Sequence, residues 1–157
     1  MSTPRKRTKR SSYTLERLCA HHLIDEFHCG DQLCDDALPV YRGTLQSGGS
    51  PIVYVAVEPD SRVIGYIALD DINVTREDES YKLLYAANIA VTERYQHGRV
   101  AADLISQADQ VFRFRQENLG GYRGQAVVAP WNDGVRRWLA RQNFTEFTNY
   151  FWWRPTE

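Results

Sequence analysis

An α/β domain, built as a mixed central sheet flanked by helices, is the fold class that this 157-residue sequence predicts. Three observations lead there. Short runs rich in Val, Ile and Tyr, each bounded by turn residues, recur along the chain as strands do. In the second half these runs alternate with segments whose apolar residues return at helical spacing. A hydrophobic content of 43% over this length is enough for one packed core and too little for two ordinary domains.

The elements follow in order. YTLERL, from Tyr13 to Leu18, alternates weakly and reads as a first strand, and a short helix is expected from Ala20 to Phe27. Asp31 starts a second helical segment, DQLCDDAL. Pro39 should limit its length, because a proline inside a helix removes a hydrogen bond and clashes with the turn before it. Gly43 to Pro51, GTLQSGGSP, is rich in turn residues. Two strands come next, IVYVAVEP and VIGYIALDD, joined as a hairpin around Pro59-Asp60-Ser61-Arg62. A third run, YKLLYAANIAVT, ends at Thr92. Val100, Leu104, Ile105, Ala108, Val111 and Phe112 then trace one face of a helix that Gly120-Gly121 stops. QAVVA, Gln125 to Ala129, is another strand. Asn132-Asp133 can cap a helix whose apolar face is Val135, Trp138 and Leu139, and FTEFTNYFWW alternates like a final strand or hairpin arm.

The formal net charge of −1 conceals an asymmetry. Arg5, Lys6, Arg7, Lys9 and Arg10 crowd the first ten positions without an acid, which leaves 14 basic against 20 acidic groups in the remainder. Residues 1–12 therefore read as a basic arm and 13–157 as a single domain. Such an arm can neutralise nucleic-acid phosphates or meet an acidic partner, while a plain solvated terminus is the duller reading. No long apolar run and no apolar segment behind the charged N-terminus point to a membrane span or a secretory signal, so a cytoplasmic protein without membrane contact is expected. Three cysteines, Cys19, Cys29 and Cys34, favour reduced thiols over a disulfide framework.

The chemistry is sought where the third strand run gives way to the long helix, at RYQHGRVAADLI, Arg94 to Ile105. A strand that enters a tight turn and then a helix leaves the first helical N–H groups without internal partners. The helix dipole adds its field there, and a phosphate fits. A junction with one glycine, Gly98, is also ordinary connectivity.

The order of elements around IAVTERYQHGRVAADLI resembles the GNAT superfamily of acetyl-CoA-dependent N-acyltransferases, whose turn signature is Gln/Arg-x-x-Gly-x-Gly/Ala. Gln96 matches its first position and Ala101 its last, and Arg99 stands where the central glycine is expected. WNDGVRRWLARQNF resembles the family's C-terminal motif through Asn132, Trp138 and Phe144. FHCGDQLCDDAL is similar to a stretch of the toxin-type branch through Phe27, Cys29, Gly30, Asp35 and Leu38, with Cys34 and Ala37 replacing its Leu and Phe.

The resemblance implies the GNAT acyl-CoA N-acyltransferase fold and acetyl transfer from acetyl-CoA, as cosubstrate, to a primary amine. Toxin-type members acetylate the amino group of aminoacyl-tRNA and are restrained by an antitoxin. The cofactor-binding residues it implies are Ile89, Ala90, Val91, Gln96, His97, Gly98, Arg99, Val100, Ala101 and Asn132. The oxyanion would meet backbone N–H groups near Ile89 to Val91, where a bulge is expected to open the sheet. The tyrosine that protonates the departing thiolate in the family is replaced by Leu139. Tyr150, in the final strand run, is the catalytic candidate in its place, with Tyr85 and Tyr95 as other tyrosines at hand. Two alternatives stay open: a GNAT-like binding module without turnover that holds nucleic acid or protein, and an acetyltransferase for a small-molecule or peptide amine.

Other groups carry two readings each. Cys19, His21, His22, His28, Cys29 and Cys34 are soft ligands, but they lack any C-x2-C or H-x3-H pair and no metal is expected. Trp131, Trp138, Trp152 and Trp153 suit stacking on bases or core packing, and the Phe151-Trp152-Trp153 cluster a homodimer surface. Arg113, Arg115, Arg136, Arg137 and Arg141 suit a phosphate site or solvated helix faces. Asp70 and Asp71 suit an amine-activating base or a turn cap.

Overall fold

Residues 12–45, 51–130 and 133–156 are described by a computed structural model of the chain. Among the described residues seven strands form one sheet: β1 (Thr14–Arg17), β2 (Ile52–Val57), β3 (Val63–Arg76), β4 (Glu79–Val91), β5 (Tyr122–Val128), β6 (Thr145–Glu146) and β7 (Phe151–Pro155). Their spatial order is β1-β2-β3-β4-β5-β7-β6. All neighbours are antiparallel except β4 and β5, which are parallel and joined by the long helix α2 (Val100–Asn118). The other helices are α1 (Gln32–Thr44) and α3 (Asp133–Arg141).

Each sheet face carries its own core. Ile64, Ile67, Leu69, Leu84, Ala86 and Val127 meet Leu104, Ile105, Ala108 and Phe112 of α2 and Leu139 of α3. On the opposite face Val55, Tyr66, Ala68 and Ala90 meet Leu38 of α1 and the loop residues Ile24 and Phe27. At 2% exposed, Leu139 is a core residue. Gly65 sets how close α2 lies to the sheet, since a Cβ there would stand 2.7 Å from Val100 Cγ1 and 3.4 Å from Leu104 Cδ1.

Three expectations are corrected. Residues 20–27 form turns and no helix: the buried His22 accepts the Cys19 amide at Nδ1, 2.9 Å, and faces Glu16 through Nε2, 3.2 Å. That bond gives the backbone an alternative to helix pairing. Pro39 does not end α1, which runs on to Thr44, because Leu38 and Tyr41 pack on the sheet on either side of the exposed ring. The β3–β4 hairpin is longer than the apolar runs suggest, turning at Glu77 and Asp78, both at positive φ of 50° and 68°. Its distal half is polar because it leaves the core.

The final alternating run is indeed a hairpin, β6–β7. Phe151 and Trp153 pack on Phe147, at ring distances of 5.0 and 4.3 Å, with Arg76 above that ring, and Trp152 packs against the α2-side core.

Candidate active site

The site begins where two parallel strands part. β4 and β5 are paired from Lys82 to Ala86 and from Tyr122 to Val127. Beyond that point β4 continues to Val91 paired with β3 alone, and β5 ends at Val128 paired with β7. A β-bulge lies at the same place. Ala68 is opposite Asn88 and Leu69 opposite Ala86, so Ala87 is an extra residue. The opening bulge thus precedes the Ile89–Val91 stretch where it was expected. An extra residue exchanges the faces of the strand. Leu84 and Ala86 point to the α2-side core before it, and Asn88 and Ala90 toward α1 after it.

The cleft ends at the turn before α2. Thr92 is followed by a single 3-10 turn, Glu93–Tyr95, and His97 adopts the left-handed conformation, φ 65°. Arg99 caps α2 with φ −97° and ψ −6°, and its side chain makes no capping bond. A glycine is therefore not required there for its backbone freedom, which removes one reason the family pattern has for that residue. Among the described residues no hydrogen-bond acceptor meets the amides of residues 98–102; the first helical bond here is Asp103 N to Arg99 O, 2.9 Å. Gly98, Arg99 and His97 are exposed while Val100 is buried. The 19-residue helix behind these amides adds a favourable field for an anion.

Gln96 has a fastening part within the fold. Its Nε2 donates to Val91 O and to Cys29 O, 2.8 Å each, so the side chain fastens the turn to the end of β4 and to the loop before α1. Ile89 is half-buried, and Ala90 and Val91 are buried at 7% and 9% exposed. Asn132 and Trp131 lie outside the described residues, as does the arm up to position 11.

On the α1 face a second group of polar side chains borders the bulge. Asn88 Nδ2 donates to the Tyr41 hydroxyl, and its Oδ1 faces the Cys34 thiol at 3.8 Å. Asp70 is opposite Tyr85 in the hairpin register, and the carboxylate raises the Tyr41 pKa in addition to burial, the larger cause. Burial, with Tyr41 nearby, also holds the Tyr85 phenol above its ordinary value. Tyr85 leans on Phe151 of β7 across the parting, edge to face at 6.3 Å. Sequence reasoning weighed Tyr85 and Asp70 but missed Tyr41 and Asn88, since nothing in the chain order announces that α1 crosses the bulge.

The remaining candidates disperse. Asp71 turns to the other face, where Arg115 Nη1 at 2.7 Å and the Tyr122 hydroxyl at 2.9 Å donate to it, a structural arrangement. Arg136 donates to Pro130 O, Arg113 to Asp109 O and Arg115 to Asp71, so three of the five arginines are engaged within the protein itself. Tyr150 lies just past the end of β5. Its carbonyl accepts the Ala129 amide, 3.0 Å, and its side chain is 81% exposed. Beside it a recess of about 420 Å³ is lined by Pro130, Arg136, Glu146, Thr148, Asn149 and Trp152, outside the strand parting itself.

No protein-family model matches the chain, and no curated protein matches it in sequence. Solved structures do match. A tyrosine-to-phenylalanine mutant of the AtaT toxin, bound to the C-terminus of the antitoxin AtaR, shares 18% identity over 92% of this chain and 93% of its own, with a TM-score of 0.81. AtaT complexed with acetyl-methionyl-tRNAfMet matches at 17% identity over 92% and 95%, with a TM-score of 0.80. The KacTA–DNA complex matches at 18% over 92% and 94%, again with a TM-score of 0.80. At these identities the likeness is one of fold: the chain has the GNAT fold that those structures share.

Proposed function

We propose that the protein is an acetyltransferase that moves acetyl from acetyl-CoA to a primary amine, with the α-amino group of aminoacyl-tRNA as the acceptor. The observation that carries this reading is the parting of β4 and β5 beyond Ala86, which leads to the unbonded amides of residues 98–102. In this reading the amides and the exposed Arg99 guanidinium take the diphosphate, and the unpaired edge of Ala87–Val91 holds the pantetheine and thioester.

The acceptor amine enters from the α1 face, where Asp70, Tyr41, Tyr85 and Asn88 border the bulge. A carboxylate there attracts an ammonium and takes its proton before attack. The proton returned to the CoA thiolate comes from Tyr150, just past the end of β5, because Leu139 is apolar and buried. The RNA acceptor is supported by the fold likeness to AtaT, complexed with acetyl-methionyl-tRNAfMet, and by the basic residues of the arm. A restraining protein partner is proposed on the same footing, from AtaT bound to AtaR.

The buried Leu139 favours one competing reading, a GNAT-fold module that binds without turnover. The deciding experiment incubates the protein with radiolabelled acetyl-CoA and methionyl-tRNA. The proposal expects label on the aminoacyl group, reduced when residues 1–10 are deleted. No label, with acetyl-CoA still bound in calorimetry, establishes the binding module; label on free amines alone removes the RNA acceptor.

A further inference from the structure

Cys29 and Cys34 have no task in the proposed reaction, yet they link both halves of the site. Cys29 lies in the loop before α1 and Cys34 in its first turn, with the Cys29 thiol 3.5 Å from Asp31 O, the carbonyl that accepts the Asp35 amide at 3.0 Å, so the two thiols are neighbours. Both are half-buried and free, whereas Cys19 is exposed. The surroundings hold the pair in place. The Cys29 amide donates to Asp35 Oδ1, 2.9 Å, its thiol approaches Asp31 O at 3.5 Å, and its carbonyl accepts from Gln96 of the phosphate turn. The Cys34 carbonyl accepts from the Tyr66 hydroxyl, 2.6 Å, and its thiol faces Asn88 beside the bulge. Between them Gly30 has φ 93°, and a Cβ there would be 3.1 Å from Glu93 Oε1.

We propose that Cys29 and Cys34 form a redox modification site, at which a small disulfide of the glutathione class converts the two thiols into an intramolecular disulfide. The Cys34 thiolate attacks one sulfur of the small disulfide, whose S–S bond breaks and releases one thiolate. Cys29 then loses its proton to water and attacks the Cys34 sulfur, expelling the second thiolate. In balance, two protein thiols and one small disulfide give one protein disulfide and two small thiols. Cys34 is the first attacker because it stands in the first turn of α1, whose N-terminus favours a thiolate, and the neighbouring Cys29 thiol holds its pKa below the ordinary value. Closure removes both S–H groups, so Asn88 loses its Cys34 donor and Asp31 O its Cys29 donor. The site therefore changes next to the bulge while the fold is kept.

The test uses full-length protein with Cys19→Ser, in which the tryptic peptide 18–42 holds only these two thiols. After equilibration with reduced and oxidised glutathione and trapping with iodoacetamide, the oxidised peptide should carry no label and no glutathione, and weigh two hydrogens less. The equilibrium constant for closure should be at least about tenfold larger in the folded protein than in urea, because the fold holds the sulfurs together. Cys29→Ser should retain glutathione on Cys34. A stable glutathione adduct in the two-thiol protein, full labelling, or equal constants in the folded and unfolded states would overturn the proposal. An effect of closure on acetyl-CoA affinity is a separate readout that rests on the proposed function; absence of binding in both forms counts against that function and leaves the peptide result to decide the thiol pair.

Discussion

Substituting Gly65 by alanine tests how the sheet positions the helix start. The added Cβ would lie 2.7 Å from Val100 Cγ1 and 3.3 Å from Ala90 O. Carbon atoms rest at about 3.5–4.0 Å, so either Val100 or the sheet must yield by roughly 1 Å. Overpacking of this kind costs about 1–3 kcal/mol, partly offset by a gain of about 0.4–1 kcal/mol from a stiffer unfolded chain. A net cost of about 1–2 kcal/mol lowers Tm by about 2–8 °C in a domain of this size. Val100 is also the first residue of α2, so the displacement reaches the amides assigned to the diphosphate. A hydrogen bond of about 2.9 Å stretched by that much is lost, and a charged one contributes about 1.5–3 kcal/mol, which corresponds to roughly tenfold to hundredfold in affinity. Thermal unfolding and acetyl-CoA calorimetry read the two effects. Adding Val100→Ala supplies the missing room, so the double variant should recover both quantities in a non-additive cycle. Unchanged Tm and affinity in Gly65→Ala, or strictly additive effects, would refute the reasoning.

Arg99→Ala should weaken acetyl-CoA by about tenfold or more and reduce the salt dependence of binding, measured by calorimetry at two ionic strengths. Tyr150→Phe should lower kcat by about 10²-fold with little change in KM, and Tyr85→Phe much less; the reverse order in steady-state kinetics would move the acid role to Tyr85. Leu139→Ala should cost about 2–5 kcal/mol in urea unfolding, as a core cavity does, since the residue lies 2% exposed. Burial opposes ionisation of Asp35, but bonds from Cys29 and His28 outweigh it and hold its carboxyl below the ordinary 3.8. A depressed carboxylate stabilises the fold above its unfolded pKa and loses that contribution as pH falls through the folded one. Stability should therefore decline below pH 3.8, and less steeply in Asp35→Asn, by urea titration across acid pH.

Much of this architecture is legible in the chain because periodicity and burial coincide. Val100, Leu104, Ile105, Ala108 and Phe112 are all buried on one face of α2, as their spacing requires. The hairpin beyond Asp71 escaped because INVTREDES has little apolar content there, and only pairing with its partner strand holds it extended. The turns at 20–27 escaped for the opposite reason: apolar residues at suggestive spacing are claimed by tertiary packing and by the His22 ring. Candidate site residues on one continuous segment, His97 to Ala101, can be proposed from a motif. The Ala87 bulge is a property of register between two strands, and Gln96 reveals its fastening role only once Cys29 is brought beside it.

The central claim is tested most directly by a crystal structure of the protein grown with acetyl-CoA. The account predicts diphosphate oxygens about 3 Å from amides of residues 98–102, with the thioester between Ala87–Ile89 and the end of β5. A cofactor seated in the recess beside Tyr150, or those amides facing only solvent while acetyl-CoA is bound elsewhere, would contradict it.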